Sequence, residues 1–136
     1  MNKTAIRLIG AAIIAVLAYE ARSLDVLPRS VICIVVGVSA FILLIMSRRQ
    51  LGTAFAIMPA AKALVTTGLY SKIQHPMYVF LDCFLVAVIT LLDAPVFLCL
   101  WGILVIVQTL QSRREESLLR ASFGVEYDTY AKGTWF

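Results

Sequence analysis

From Pro76 to Gln111 the sequence is apolar almost throughout, and the only firm break in it, Asp93-Ala94-Pro95, is three residues long. The two runs on either side, 76–92 and 96–111, each approach the about 20 residues that a helical bilayer crossing takes. So short a connection forces them into an antiparallel helical hairpin. Tyr78 and Glu115 then both lie at its open end, roughly 15 and 20 residues from the turn at 1.5 Å per residue. Residues distant in sequence become neighbours in space.

The rest of the chain follows the same pattern. Ala5 to Ala18 is a third apolar run, with Lys3 before it, Arg7 near its start, and Glu20 and Arg22 after it. It lacks a small-residue cleavage site, so it reads as an uncleaved transmembrane helix rather than a signal peptide. Ser23 to Ser30, with Asp25 and Pro28, reads as a short turn. Val31 to Met46 is a further run, ending at Ser47-Arg48-Arg49, whose arginines can snorkel to the membrane surface. Gln50 to Lys72 contains Gly52, Pro59 and Gly68 and carries Lys62 and Lys72 with no acidic residue. It is too broken to span and reads as a cytoplasmic interfacial segment.

These runs predict helices over 4–22, 31–47, 76–92 and 95–114 in a single membrane domain, 1–136. The fold class is an all-α integral membrane protein: four transmembrane helices, the interfacial segment and a short C-terminal tail. Composition agrees, with 61% hydrophobic and 15% charged residues and a mean hydropathy of +0.91, far from a soluble domain. The net charge of +4 does not point to nucleic acid, because the basic residues flank apolar runs without interleaved aromatics. They are topology signals. Arg22 and Arg29 share one turn, the Asp93 turn has no basic residue, and the rest of the twelve fall at the other ends, so both termini are expected in the cytosol. The short uncleaved chain is expected in a bacterial inner membrane. Cys33, Cys83 and Cys99 have no metal-ligand spacing and read as small buried hydrophobes; no metal site is expected. Glu20 reads as a solvated interfacial carboxylate.

Chemistry concentrates at the open end of the hairpin. Gly68 to Phe80 reads Gly-Leu-Tyr-Ser-Lys-Ile-Gln-His-Pro-Met-Tyr-Val-Phe and holds the one histidine, His75. Pro76 suits a first helical position, where its missing N–H has no partner to lose. His75, Tyr78 and Asp82 then share one helical face. Asp82 lies about a turn and a half inside the helix, where an ionised carboxylate costs about 2.5–3.5 kcal/mol on insertion scales, so it should face the bundle or a wet cleft. A structural partner such as Arg114 or Gln108 and a role toward the substrate are both open for it. Arg113-Arg114-Glu115-Glu116 brings paired carboxylates to the same boundary, with Gln108, Gln111 and Glu115 on one face. Read alone, each stretch has an ordinary alternative: His75 as a capping residue, Glu115-Glu116 as a solvated helix end.

Together the two stretches resemble the membrane methyltransferases that include isoprenylcysteine carboxyl methyltransferases and phospholipid N-methyltransferases. The shared signature is Arg-His-Pro-x-Tyr-x-Gly followed, one helical hairpin later, by Glu-Glu. Here it reads Gln74-His75-Pro76-Met77-Tyr78-Val79-Phe80 and Glu115-Glu116, with a similar lead-in, Leu64 to Tyr70, and a similar tail, Phe123-Gly124-x-x-Tyr127-x-x-Tyr130. Gln74 stands where the family has Arg, and Phe80 where it has Gly. An amide cannot replace a permanent cation with five donors, and Phe80 should narrow the cleft if a ligand approaches the backbone there.

The resemblance implies an enzyme that moves a methyl group from S-adenosylmethionine to a lipid or small amphiphilic acceptor at the cytoplasmic membrane face. It implies a catalytic region over 62–130, with cofactor-binding roles for Thr67, Gly68, Leu69, Tyr70, His75, Pro76, Tyr78, Glu115 and Glu116. Tyr78, Asp82 and Glu116 are the implied catalytic residues. Two other classes remain open: a small four-helix exporter, oligomeric and using Glu20 or Asp82, and a family member that binds a ligand without catalysis.

Overall fold

The computed structural model describes residues 3–23, 25–52 and 64–135, and every regular element among them is helical. They form α1 (Lys3–Glu20), α2 (Val26–Leu51), α3 (Pro76–Leu91), α4 (Phe97–Phe123) and α5 (Val125–Gly133), with short 3₁₀ turns at Ala21–Ser23 and Gly68–Ser71.

The expected turn at Ser23 to Ser30 is corrected. α2 starts at Val26, with Asp25 at the N-cap position and Pro28 in the first turn, where a missing N–H costs no helical hydrogen bond. α2 also runs past 47 to Leu51 and stops at Gly52, whose φ is +51°. α3 begins at Pro76 as its sequence requires. α4 does not end near 114: Arg113 to Ser122 contains no helix breaker, so the helix continues to Gly124, whose φ is +49° and whose N–H donates to the Arg120 carbonyl at 2.9 Å. The expected short tail is a further helix, α5. Of the expected interfacial segment, 53–63 lies outside the described residues. Gly68–Ser71 forms a 3₁₀ turn held to α2 by the Gln50 Oε1 that accepts from Leu69 N at 2.8 Å. Gly68 has a φ of +63°, and a Cβ there would stand 2.5 Å from Gln50 Oε1.

α2 and α3 make the most extensive helix contact. α2 presents the stripe Arg29, Cys33, Gly37, Ala40 and Ser47 as its buried face, so its backbone comes close to α3; a Cβ on Gly37 would lie 3.5 Å from that of Ala87. Small residues at such contacts are the membrane-helix solution, since lipid tails give no hydrophobic drive to association. α1 packs on α3 and α4 through Ala18, Val86, Trp101 and Val105. Conversely Ile9, Val16, Leu17, Val35, Ile42, Leu100 and Ile106 face outward. Cys33 is buried, whereas Cys99 is exposed on this outer surface, not buried as expected. α1 with its 3₁₀ extension, Thr4–Ser23, and α2 are long and apolar enough to cross a membrane; α3 is apolar but shorter.

The connections at one end are clipped together. Arg22 Nε donates to Asp93 Oδ1 at 2.7 Å, and Arg29 Nη1 lies 3.8 Å from the same oxygen. Asp93 has a φ of +51°, a conformation that Asp tolerates better than most side chains. His75, Glu115 and the start of α1 gather at the other end.

Candidate functional site

His75 occupies the N-cap position of α3 but makes no side-chain capping bond; its imidazole turns to α4 instead. Nδ1 lies 3.4 Å from Glu115 Oε2 and Nε2 3.3 Å from Glu116 Oε1. One turn along α3, the Tyr78 hydroxyl donates to Glu115 Oε1 at 2.8 Å, and the two rings stack with centroids 5.6 Å apart. Gln111 Nε2 approaches Glu115 at 3.4 Å from one turn back on α4. The hairpin geometry thus joins residues about forty positions apart.

Burial alone would raise the Glu115 carboxyl. The hydrogen bonds from His75 and Tyr78, the charge of His75 and the Gln111 amide outweigh it and hold Glu115 below its ordinary value. Tyr70 is buried and close enough to feel Tyr130 and Glu115; burial first, then those charges, push its phenol up.

α1 contributes a residue that sequence reasoning missed. Arg7 Nη1 donates to Ser112 Oγ, and Nη2 reaches Glu116 Oε1 at 3.4 Å. Its signal was present: a cation one turn inside an apolar run needs a partner. Trp101 was missed too. Its Nε1 donates to Asp82 at 3.1 Å, as a buried indole N–H must find an acceptor. Asp82 is therefore partnered by Trp101, with Gln108 beside it; Arg114 is exposed on the outside of α4.

Arg7, His75, Tyr78, Asp82, Trp101, Gln108 and Thr109 are the polar and aromatic residues lining a cavity of about 230 Å³ between α1, α3 and α4, completed by Ile6, Gly10, Ala11, Ile14, Val79, Cys83 and Val105. Glu115 and Glu116 do not line it. They stand behind Arg7, His75 and Tyr78, which therefore form a partition between an apolar cavity and a carboxylate pair.

Pro76 is fully buried at the base of this partition. Thr67, Gly68 and Leu69 sit off the cavity, in the turn that Gln50 pins to α2. α5 and the residues that follow it clamp the end of that segment. The Tyr130 hydroxyl donates to the Tyr70 carbonyl at 2.7 Å and Trp135 N to the Lys72 carbonyl at 2.9 Å. Burial pushes the Tyr127 phenol up to about 12, with the Glu116 charge adding to it, and the Tyr130 phenol likewise up to about 12. Phe80 is half-buried and does not line the cavity, so it does not narrow it. Gln74 is buried with its Oε1 lacking a partner.

A family model described as phospholipid methyltransferase matches residues 28–126, from the first turn of α2 into the start of α5. The match includes His75, Tyr78, Glu115 and Glu116 and leaves out α1. No curated protein and no solved structure matches the chain.

Proposed function

The chain belongs to the phospholipid methyltransferase family, and from that premise we propose that it methylates a lipid-like or small amphiphilic acceptor with S-adenosylmethionine at the cytoplasmic face of a membrane. The observation that carries this reading is the partition. A carboxylate pair suited to an ammonium stands on one side of His75 and Tyr78, and an apolar cavity suited to a lipid chain lies on the other.

The residues present fit the cofactor. Its ammonium calls for anionic acceptors, which Glu115 and Glu116 supply, and its hydroxyls and amino groups call for acceptors of the kind Gln74 Oε1 offers, buried and unpartnered one residue before His75. Tyr70, in the turn that α5 clamps, adds an aromatic face near Glu115. When bound, S-adenosylmethionine supplies a methyl group already attached to a sulfonium leaving group. The chain must then orient two reactants and exclude water, the entropic share of such a reaction. Tyr78 and His75, locked by Glu115 and Glu116, fix the wall where the reactants meet. An amine acceptor would release a proton, and the Glu116 carboxylate is the base assigned to take it.

The proposal includes four membrane helices with both termini in the cytosol. Among the described residues Arg7, Arg48, Arg49, Arg113 and Arg114 lie toward the His75 end and Arg22 and Arg29 toward the Asp93 end, a bias that supports a cytosolic site under the positive-inside tendency. Glu20, one of the two carboxylates an exporter would use, is exposed at the far end of α1. Purified protein incubated with methyl-labelled S-adenosylmethionine and a membrane lipid extract should place label in the organic phase. Label absent there, with lipid extracts of several compositions, would refute an amphiphilic acceptor.

A further inference from the structure

The cavity owes one wall to α1, a helix outside the family match. Ile6, Arg7, Gly10, Ala11 and Ile14 supply it, and two features of that wall bear on what the cavity holds. Gly10 is the first. A Cβ there would meet nothing within 4 Å, so no close helix approach requires glycine, although mid-helix it costs about 0.5–1 kcal/mol relative to Ala. Its bareness keeps the cavity open. Arg7 is the second. Its guanidinium carries five donors, and the Ser112 and Glu116 bonds engage two of its N–H groups. The side chain is 17% exposed and borders the cavity at its polar end.

We propose that α1 is the acceptor-binding wall of this site, with Arg7 holding the anionic group of an amphiphile whose apolar chain lies along Gly10 and Ile14. Arg7 to Ile14 spans about 10 Å of helix, lined by apolar groups below a single cation. That pattern matches a phosphate or carboxylate head on an alkyl chain. The name "acceptor" rests on the methyl-transfer reading; the anion site stands on the cavity alone.

The test uses the full chain in uncharged maltoside micelles with Trp135→Phe, which leaves Trp101, on the cavity wall, as the one remaining tryptophan of two. Its fluorescence is followed while decyl phosphate, decanoate or decanol is added. Both anions should bind more tightly than decanol, the preferred one showing whether a phosphate or a carboxylate head is the better fit. Arg7→Gln should weaken anion binding about ten- to a hundredfold and leave decanol unchanged, which also shows the variant folded. Arg7→Lys should fall between. Gly10→Leu should weaken all three ligands by filling the cavity. Arg113→Gln, which cuts a second tie between α1 and α4 through Thr4, should change none of them. Titration of the same variants with S-adenosylhomocysteine separates the sources of the anion. If Arg7→Gln keeps its phosphate affinity, or loses S-adenosylhomocysteine affinity in its place, the proposal is overturned. If wild type binds decyl phosphate through Arg7 but no S-adenosylhomocysteine, the methyl-transfer reading fails while the anion site stands.

Discussion

Glu115 is held by His75, Tyr78 and Gln111 from two helices, and the consequence is a pH dependence with a definite sign. Its folded pKa lies below the ordinary carboxyl value near 4.5. The group therefore contributes stability that is fully present above that value and is lost as the pH falls through the lower folded one. Thermal unfolding in detergent should show the midpoint falling through this acid window in wild type, and falling less in Glu115→Gln. Parallel curves for the two proteins would show that Glu115 is not held as described. Tyr78→Phe tests the same contact without changing charge. It removes a hydrogen bond to an ionised group, usually about 1.5–3 kcal/mol, and should reduce turnover more than it reduces the folded fraction at neutral pH. The hydroxyl was legible in the sequence as a group on the His75 face. Its partner was legible only through the three-residue turn, which sets the register of the hairpin. For Arg7 the need of a partner was legible but the partner was not, because nothing local in α1 shows which of the other helices its N-terminal turns will meet.

At the scale of elements, the clip between the connections and the close contact of α2 with α3 make opposite demands. Asp93→Asn keeps a side chain that accepts positive φ but removes the charge that Arg22 and Arg29 share. Arg29, with its side chain only 10% exposed, would be left a nearly buried cation, so the change should cost about 1–2 kcal/mol, more than an exposed pair commonly does. An unfolding midpoint equal to wild type would mean that the clip holds nothing. On α2, Gly37→Ala should be tolerated, since its Cβ would make ordinary contact with Ala87 at 3.5 Å. Gly37→Leu should cost about 1–3 kcal/mol by overpacking, read from the same midpoint. Helix existence was legible throughout from apolar runs; helix ends were not. α2 begins five residues before Val31 because a proline in the first turn resembles a turn proline in sequence, and α4 runs on because charged residues ended the apolar run without ending the helix. The helix at α5 had no apolar run to announce it. The Gly124, Tyr127 and Tyr130 pattern came from resemblance, and its physical purpose, clamping Tyr70, emerged only from the fold.

For the molecule as a whole, the large aliphatics outside and small residues within make lipid the natural solvent of the helix bundle. In a protein whose native cysteines are replaced, single cysteines at Asp93 and Gly133 should react with an impermeant reagent from opposite sides of sealed vesicles; labelling from one side would refute the topology. The central claim is narrower: the carboxylates behind His75 and Tyr78 hold a cofactor. Calorimetric titration of the purified chain with S-adenosylhomocysteine tests it most directly. The account predicts saturable binding by wild type, a loss of about ten- to a hundredfold in Glu115→Gln and Glu116→Gln, a loss in His75→Ala as well, and an unchanged affinity in Asp82→Asn, whose carboxylate lies on the cavity side against Trp101. Wild-type affinity in Glu115→Gln, Glu116→Gln and His75→Ala, with binding abolished in Asp82→Asn alone, would contradict it.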